Sequence, residues 1–131
     1  MERLVLDTST IVAIILMEPG HERLMARLDE TNEILIGTPT VVEAGLVLSS
    51  RLRQDARPVI QVLLRQLRAK VVAFDEDHAW AATGAFLRFG RGRHPAALNF
   101  GDCLSYAVAS LSGDPLLYIG DDFTKTDIPP A

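Results

Sequence analysis

Four acidic positions in this chain have the type and spacing for metal chemistry: Asp7, Glu43, Asp102 and the pair Asp121-Asp122. They lie far apart in sequence, yet each borders or interrupts an apolar run. Asp7 closes Leu4-Val5-Leu6, and Asp121-Asp122 follows Leu116-Leu117-Tyr118-Ile119 after Gly120. Asp102 opens the apolar run 103–111, and Glu43 sits inside the run 39–48, where a bare charge is costly to bury. Carboxylates brought together repel one another, so such a cluster is stable only around a cation. Mg²⁺ and Mn²⁺ prefer oxygen ligands, and a bound ion polarises a phosphoryl oxygen, acidifies a water and orients in-line attack. The chemistry expected is therefore hydrolysis of a phosphodiester by a metal-activated water.

The elements that must position these acids alternate between strand and helix. Residues 4–6 form a short buried strand, and Asp7-Thr8-Ser9-Thr10 offers capping side chains for a helix over 11–17. A second helix spans 21–28. A strand at 34–36 then leads into a helix started by Thr38-Pro39 that carries Glu43. Ile60, Leu63, Leu64 and Leu67 at helical spacing mark a helix over 58–67. Residues 71–74 are a third strand, 75–89 a helix, 90–95 a loop, and 117–119 a fourth strand after the helix opened near Asp102. This alternation implies an α/β fold with a central, mostly parallel sheet of 4–5 strands, flanked by helices on both faces. Ligands of such sheets bind beyond the carboxyl ends of the strands, where Asp7 and Asp121-Asp122 both fall.

At 131 residues the chain is expected to be one domain, 1–131, with a core that needs no disulfide staple. No apolar stretch reaches membrane-spanning length, and Met1-Glu2-Arg3 leads directly into a strand, so a cytoplasmic location is expected. The single Cys103 reads as a small core residue. His21, His78 and His94 are isolated, which argues against a zinc site. The net charge of −4 hides a strong asymmetry. Residues 1–50 sum to −5, residues 51–93 to +5 and the remainder to −4, and eleven of the 13 basic residues are Arg. A basic middle beside an acidic site suits a phosphodiester substrate, although a solvated helix face would produce the same charge pattern. Arg91 and Arg93, in the loop, are the candidates for contacts to the backbone of such a substrate.

Each acid also has a purely structural alternative. Asp7 and Asp102 could cap helices, Glu43 could reach back to Thr40 in a capping box, and Asp121-Asp122 could be turn residues. Asp75-Glu76-Asp77 is best read as an acidic helix start rather than part of the site. Two other functions compete with metal-dependent phosphodiester hydrolysis. A receiver-type phosphoacceptor domain would want a second acid beside Asp7, and a scaffold or binding module would need no acids at all.

The segments Leu4-Val5-Leu6-Asp7-Thr8-Ser9, Val42-Glu43-Ala44, 99–107 (beginning Asn99-Phe100-Gly101-Asp102) and 120–127 (beginning Gly120-Asp121-Asp122-Phe123) resemble the PIN-domain ribonucleases. More narrowly, they are similar to the VapC toxins of bacterial VapBC toxin–antitoxin pairs. The resemblance runs from Arg3 to Ile128 and implies a PIN-like domain that is an Mg²⁺- or Mn²⁺-dependent endoribonuclease. The family's acidic residues fall on Asp7, Glu43, Asp102 and Asp122. Asp121 departs from the commoner neutral residue there, which leaves open which of the two faces the metal. Ser9 and Asn99 match positions that support the acids by hydrogen bonds. The resemblance further implies a homodimer and a cognate VapB-like antitoxin, assembled as a heterotetramer or larger. Such a partner, or equally a deep core, would account for the apolar helix residues Ile11, Val12, Ile14, Ile15 and Leu16.

Overall fold

Side chains alternate along a strand, and here that alternation feeds two separate apolar cores. In β1 (Arg3–Leu6), Leu4 and Leu6 join one core and Val5 the other. In β2 (Glu33–Gly37), Ile34 and Ile36 join the first and Leu35 the second. The same division separates Leu117 from Leu116 in β4 (Leu116–Leu117). The computed structural model describes residues 2–131. All four strands pair in parallel in the order β3-β2-β1-β4, with β3 (Lys70–Val72) at one edge.

Helices cover both faces, as a parallel sheet requires. The first core holds side chains of α1 (Thr8–Ile15), α2 (His21–Asp29), α3 (Thr38–Leu52) and α4 (Arg57–Gln66). The second holds those of α5 (Glu76–Phe89) and α6 (Phe100–Ser112). The apolar residues of α1 find their neighbours within the chain: Ile11 and Val12 are buried, and Ile14, Ile15 and Leu16 pack against the first core. Cys103 is buried in the second core, as its type suggests. No described helix is long and apolar enough to cross a membrane.

Two boundaries differ from the expected ones for a local reason. Helix α1 begins at Thr8 rather than at residue 11, because the Asp7 carboxylate accepts the Ser9 N–H and starts the helix directly off β1. It ends at Ile15, and Met17 then turns left-handed with φ 52°. Strand β3 stops at Val72 instead of 74. Phe74 instead sets its ring against His78, 5.0 Å between centroids, while Asp75 caps α5.

Candidate active site

Asp7 sits at the carboxyl end of the central strand β1 and is only 5% exposed. Its Oδ2 accepts hydrogen bonds from the Ser9 N–H (3.1 Å) and Ser9 Oγ–H (2.6 Å). Ser9 Oγ in turn accepts the Ile119 N–H at 3.0 Å, just past β4. One hydroxyl thus fixes the Asp7 rotamer and ties it to the start of the 118–128 segment. The Asp7 N–H and Thr10 Oγ–H both donate to the Leu117 carbonyl, at 3.0 and 2.8 Å, which locks β1, α1 and β4 into one corner.

Asp102 enters from the opposite face, in the first turn of α6, and is 8% exposed. It is held by a reciprocal capping box: Asn99 N–H donates to Asp102 Oδ2 at 3.0 Å, and Asp102 N–H donates to Asn99 Oδ1 at 2.9 Å. The capping roles open to Asp7 and Asp102 are therefore real, and they coexist with convergence. Burial, followed by the charges of Asp122 and Asp7, pushes the Asp102 carboxyl up to about 7, against the opposing pull of the Asn99 N–H. Asp122 thus acts on Asp102, whereas the Asp121 charge, after burial, raises the Tyr118 hydroxyl.

Glu43 does not reach back to Thr40. Helix α3 starts at Thr38, and Glu43 Oε1 instead accepts the Thr8 Oγ–H at 2.5 Å. Its carboxylate rests against Gly101, where a Cβ would overlap it. The glycine between Phe100 and Asp102 thus admits a charge to the start of α6, the end of a helix that favours an anion. Thr8 and Gly101 were missed by sequence reasoning: each adjoins one acid in sequence, Asp7 or Asp102, yet seats another, Glu43.

Further residues clamp the segment carrying Asp122. Phe123 is buried in the second core, with its ring 5.0 Å from Tyr118. Asp127 accepts from Tyr106 Oη at 2.5 Å and from Arg88 at 3.0 Å, which joins the segment to α6 and α5. Asp127 and Tyr106 were also missed; their sole signal was a polar pair with no partner nearby in sequence.

The other sequence candidates lie elsewhere. Arg91 and Arg93 are exposed, with the Arg93 guanidinium over the Phe86 ring at 5.5 Å. His94 is half-buried: its Nδ1 accepts the Ala96 N–H and its ring meets Phe89 edge-on. Asp75 caps α5 beyond the edge strand β3, which is separated from β1 by β2.

Among the described residues, none of Asp7, Glu43, Asp102 and Asp122 is ion-paired with a basic side chain. Nor do any three His, Cys, Asp or Glu side chains gather closely enough around one point to hold an ion as they stand. Local donors explain the spread: Ser9 holds Asp7, Thr8 holds Glu43 and Asn99 holds Asp102. The donor set nevertheless suits a hard divalent cation, which would relieve the strain recorded in the raised Asp102 carboxyl.

Comparison with known proteins places the chain in a family. The PIN domain family matches residues 4–129. Ribonuclease VapC36 of Mycobacterium tuberculosis is 42% identical over 126 residues, covering 95% of this chain and 91% of that protein. Ribonuclease VapC of Mycolicibacterium smegmatis is 39% identical over 125 residues, covering 95% and 97%. Among solved structures, the fold superposes on VapC20 of Mycobacterium tuberculosis, described as a sarcin–ricin loop cleaving toxin. The TM-score is 0.80 at 16% identity, over 98% of both chains. DNA-bound VapBC of Salmonella typhimurium gives 0.71 at 18% identity, over 99% of this chain and 96% of that one. The chain belongs to the PIN-domain family, within its VapC ribonuclease branch.

Proposed function

We propose that this chain is a divalent-metal-dependent endoribonuclease, the toxin of a toxin–antitoxin pair. The observation that carries the reading is the approach of Asp7, Asp102 and Asp122 from three different elements without a basic counter-charge. Relatives about 40% identical over nearly the whole chain are ribonucleases. Asp7, Glu43, Asp102 and Asp122 would hold Mg²⁺ or Mn²⁺, which when bound supplies charge neutralisation at the phosphate and an acidified water for hydrolysis.

The chain's own residues supply the rest. Ser9 and Asn99 orient the Asp7 and Asp102 carboxylates, and Thr8 does the same for Glu43. The Asp102 carboxyl, raised to about 7, exchanges a proton near neutral pH while no cation is present. Arg91 and Arg93 contact the RNA backbone from the loop between α5 and α6. The partners proposed are a cognate VapB-like antitoxin and a second copy of the chain, consistent with the toxin–antitoxin complexes of similar fold. The place of action is the cytoplasm, where RNA and such a partner meet.

The test is cleavage of total cellular RNA by the purified chain, freed of co-purifying antitoxin, in Mg²⁺, Mn²⁺ or EDTA. Discrete metal-dependent fragments, absent from Asp102→Asn prepared identically, are the expected result. A folded chain that neither cleaves RNA nor binds either ion is instead a silent PIN-like scaffold.

A further inference from the structure

Beside the acidic cluster the chain leaves an aromatic surface uncovered. Phe100, the first residue of α6 and two positions before Asp102, is 81% exposed. An apolar chain gains nothing by presenting a phenyl ring to water at the start of a helix whose other early residues are buried. The ring edges an open cleft of about 300 Å³ between α5 and α6, lined by Ala82, Thr83, Phe86, Phe100, Cys103 and Leu104. On the cleft's Phe86 side, the Arg93 guanidinium lies over the ring. Neither Arg93 nor Arg91 is paired with an acid among the described residues.

We propose that this cleft is a stacking subsite for an unpaired RNA base flanking the scissile phosphate, with Phe100 as its platform. The inference rests on the nuclease reading above and specifies its substrate as single-stranded at this position. Two features favour RNA over a protein occupant. Phe100 adjoins Gly101, against which the Glu43 carboxylate rests, and stands two residues before Asp102, so a base on Phe100 belongs to a nucleotide near the acids. Its rim is also cationic and aromatic together, with Arg93 free for a phosphate, the combination that binds single strands with little sequence demand. Phe100 is a positioning residue in this scheme: it places the strand and takes no part in the proton or phosphate chemistry.

The test uses RNA oligomers of about 12 nucleotides carrying one 2-aminopurine at successive positions. Stacking quenches 2-aminopurine, and Asp102→Asn provides a background in which binding is read without cleavage. Phe100→Ala and Phe100→Leu should lose the quench at one position. In the otherwise native chain they should raise KM roughly 5- to 100-fold with kcat little changed. Phe100→Tyr should restore both, because it keeps the ring. Melting temperature, unchanged at so exposed a position, separates these effects from misfolding.

Phe100→Leu matching the native chain in quench and KM overturns the subsite, as does probe binding with no quenched position. A change of oligomeric state in Phe100→Ala with RNA affinity intact also overturns it and makes the surface a contact with a second copy. If the native chain cleaves no RNA yet quenches the probe through Phe100, the nuclease reading falls and the stacking site stands.

Discussion

Asp7 and Asp102 are built into the starts of helices, whereas Asp122 rides on a loop. The first two are buried, and their rotamers are set by neighbours two or three residues away in sequence. Asp122 is exposed and owes its place to long-range anchors: buried Phe123, and Asp127 bonded to Tyr106 and Arg88. A carboxylate in a helix's first turn is positioned as soon as the helix forms. One on a loop is positioned only when distant elements have packed. The two halves of the cluster should therefore fail differently when perturbed.

The sharpest break comes at the rigid half. Asp102→Asn keeps an oxygen to accept the Asn99 N–H, so the helix start survives while one negative charge is lost. Several kcal/mol of charge stabilisation disappear, and cleavage should fall about 10³-fold or more, measured as kcat/KM on a mapped RNA fragment. The same change removes a buried charge that Asp7 and Asp122 oppose, so in EDTA the variant should melt higher than the native chain. A variant that is inactive and also less stable would mean that Asp102 serves the fold more than the chemistry.

At the loop half the expected loss is smaller and depends on which acid is changed. Asp122→Asn should cost roughly 10- to 100-fold, since the side chain remains near Asp102 but contributes no charge. Asp121→Asn should stay within about twofold, because the Asp121 charge bears on Tyr118 and not on Asp102. Equal losses from the two substitutions would show that the pair exchanges places when substrate binds.

How much of this was readable beforehand follows the same divide. The strands were legible because short apolar runs alternate with amphipathic helices, and the acids because charge at the end of an apolar run is conspicuous. Asp7 and Asp102 were readable both as caps and as ligands, and the structure gives each its capping role. The residues that seat the acids were not legible. Thr8 meets Glu43 across 35 positions and Tyr106 meets Asp127 across 21, and no local pattern announces a tertiary hydrogen bond. Gly101 carried no turn signal, because its role is to admit the Glu43 carboxylate rather than to bend the chain. The charge block over residues 51–93 was visible, but it did not reveal that Arg93 lies over Phe86.

Acid pH offers a milder probe of the buried half. The Asp102 carboxyl is raised in the folded chain to about 7, while in the unfolded chain it should titrate near ~3.9. Between those values the folded state holds a proton that the unfolded state has lost. Stability therefore falls as pH rises through this window, and the loss is complete above it. In EDTA the melting temperature should drop from pH 5 to about pH 7 and level off by pH 8. Added Mg²⁺ should flatten the slope by displacing the proton. Asp102→Asn should flatten it without any metal, and a native slope equal to the variant's would place the charge strain elsewhere.

The smallest effect should come from loosening the loop without touching an acid. Tyr106→Phe removes one hydrogen bond to Asp127 but leaves the Arg88 contact and the ring packed against Phe89. Such a bond is worth about 1 kcal/mol, or a fall of roughly 3–5 °C in melting temperature for a chain of this size. The informative quantity is the ratio of two activity losses. If the clamp positions Asp122, Tyr106→Phe should lower kcat about three- to fivefold in the native chain and have no further effect in Asp122→Asn, because the side chain it positions no longer carries charge. Equal losses in both backgrounds would mean that Tyr106 only stabilises α6, and that Asp122 is held well enough by Phe123 alone.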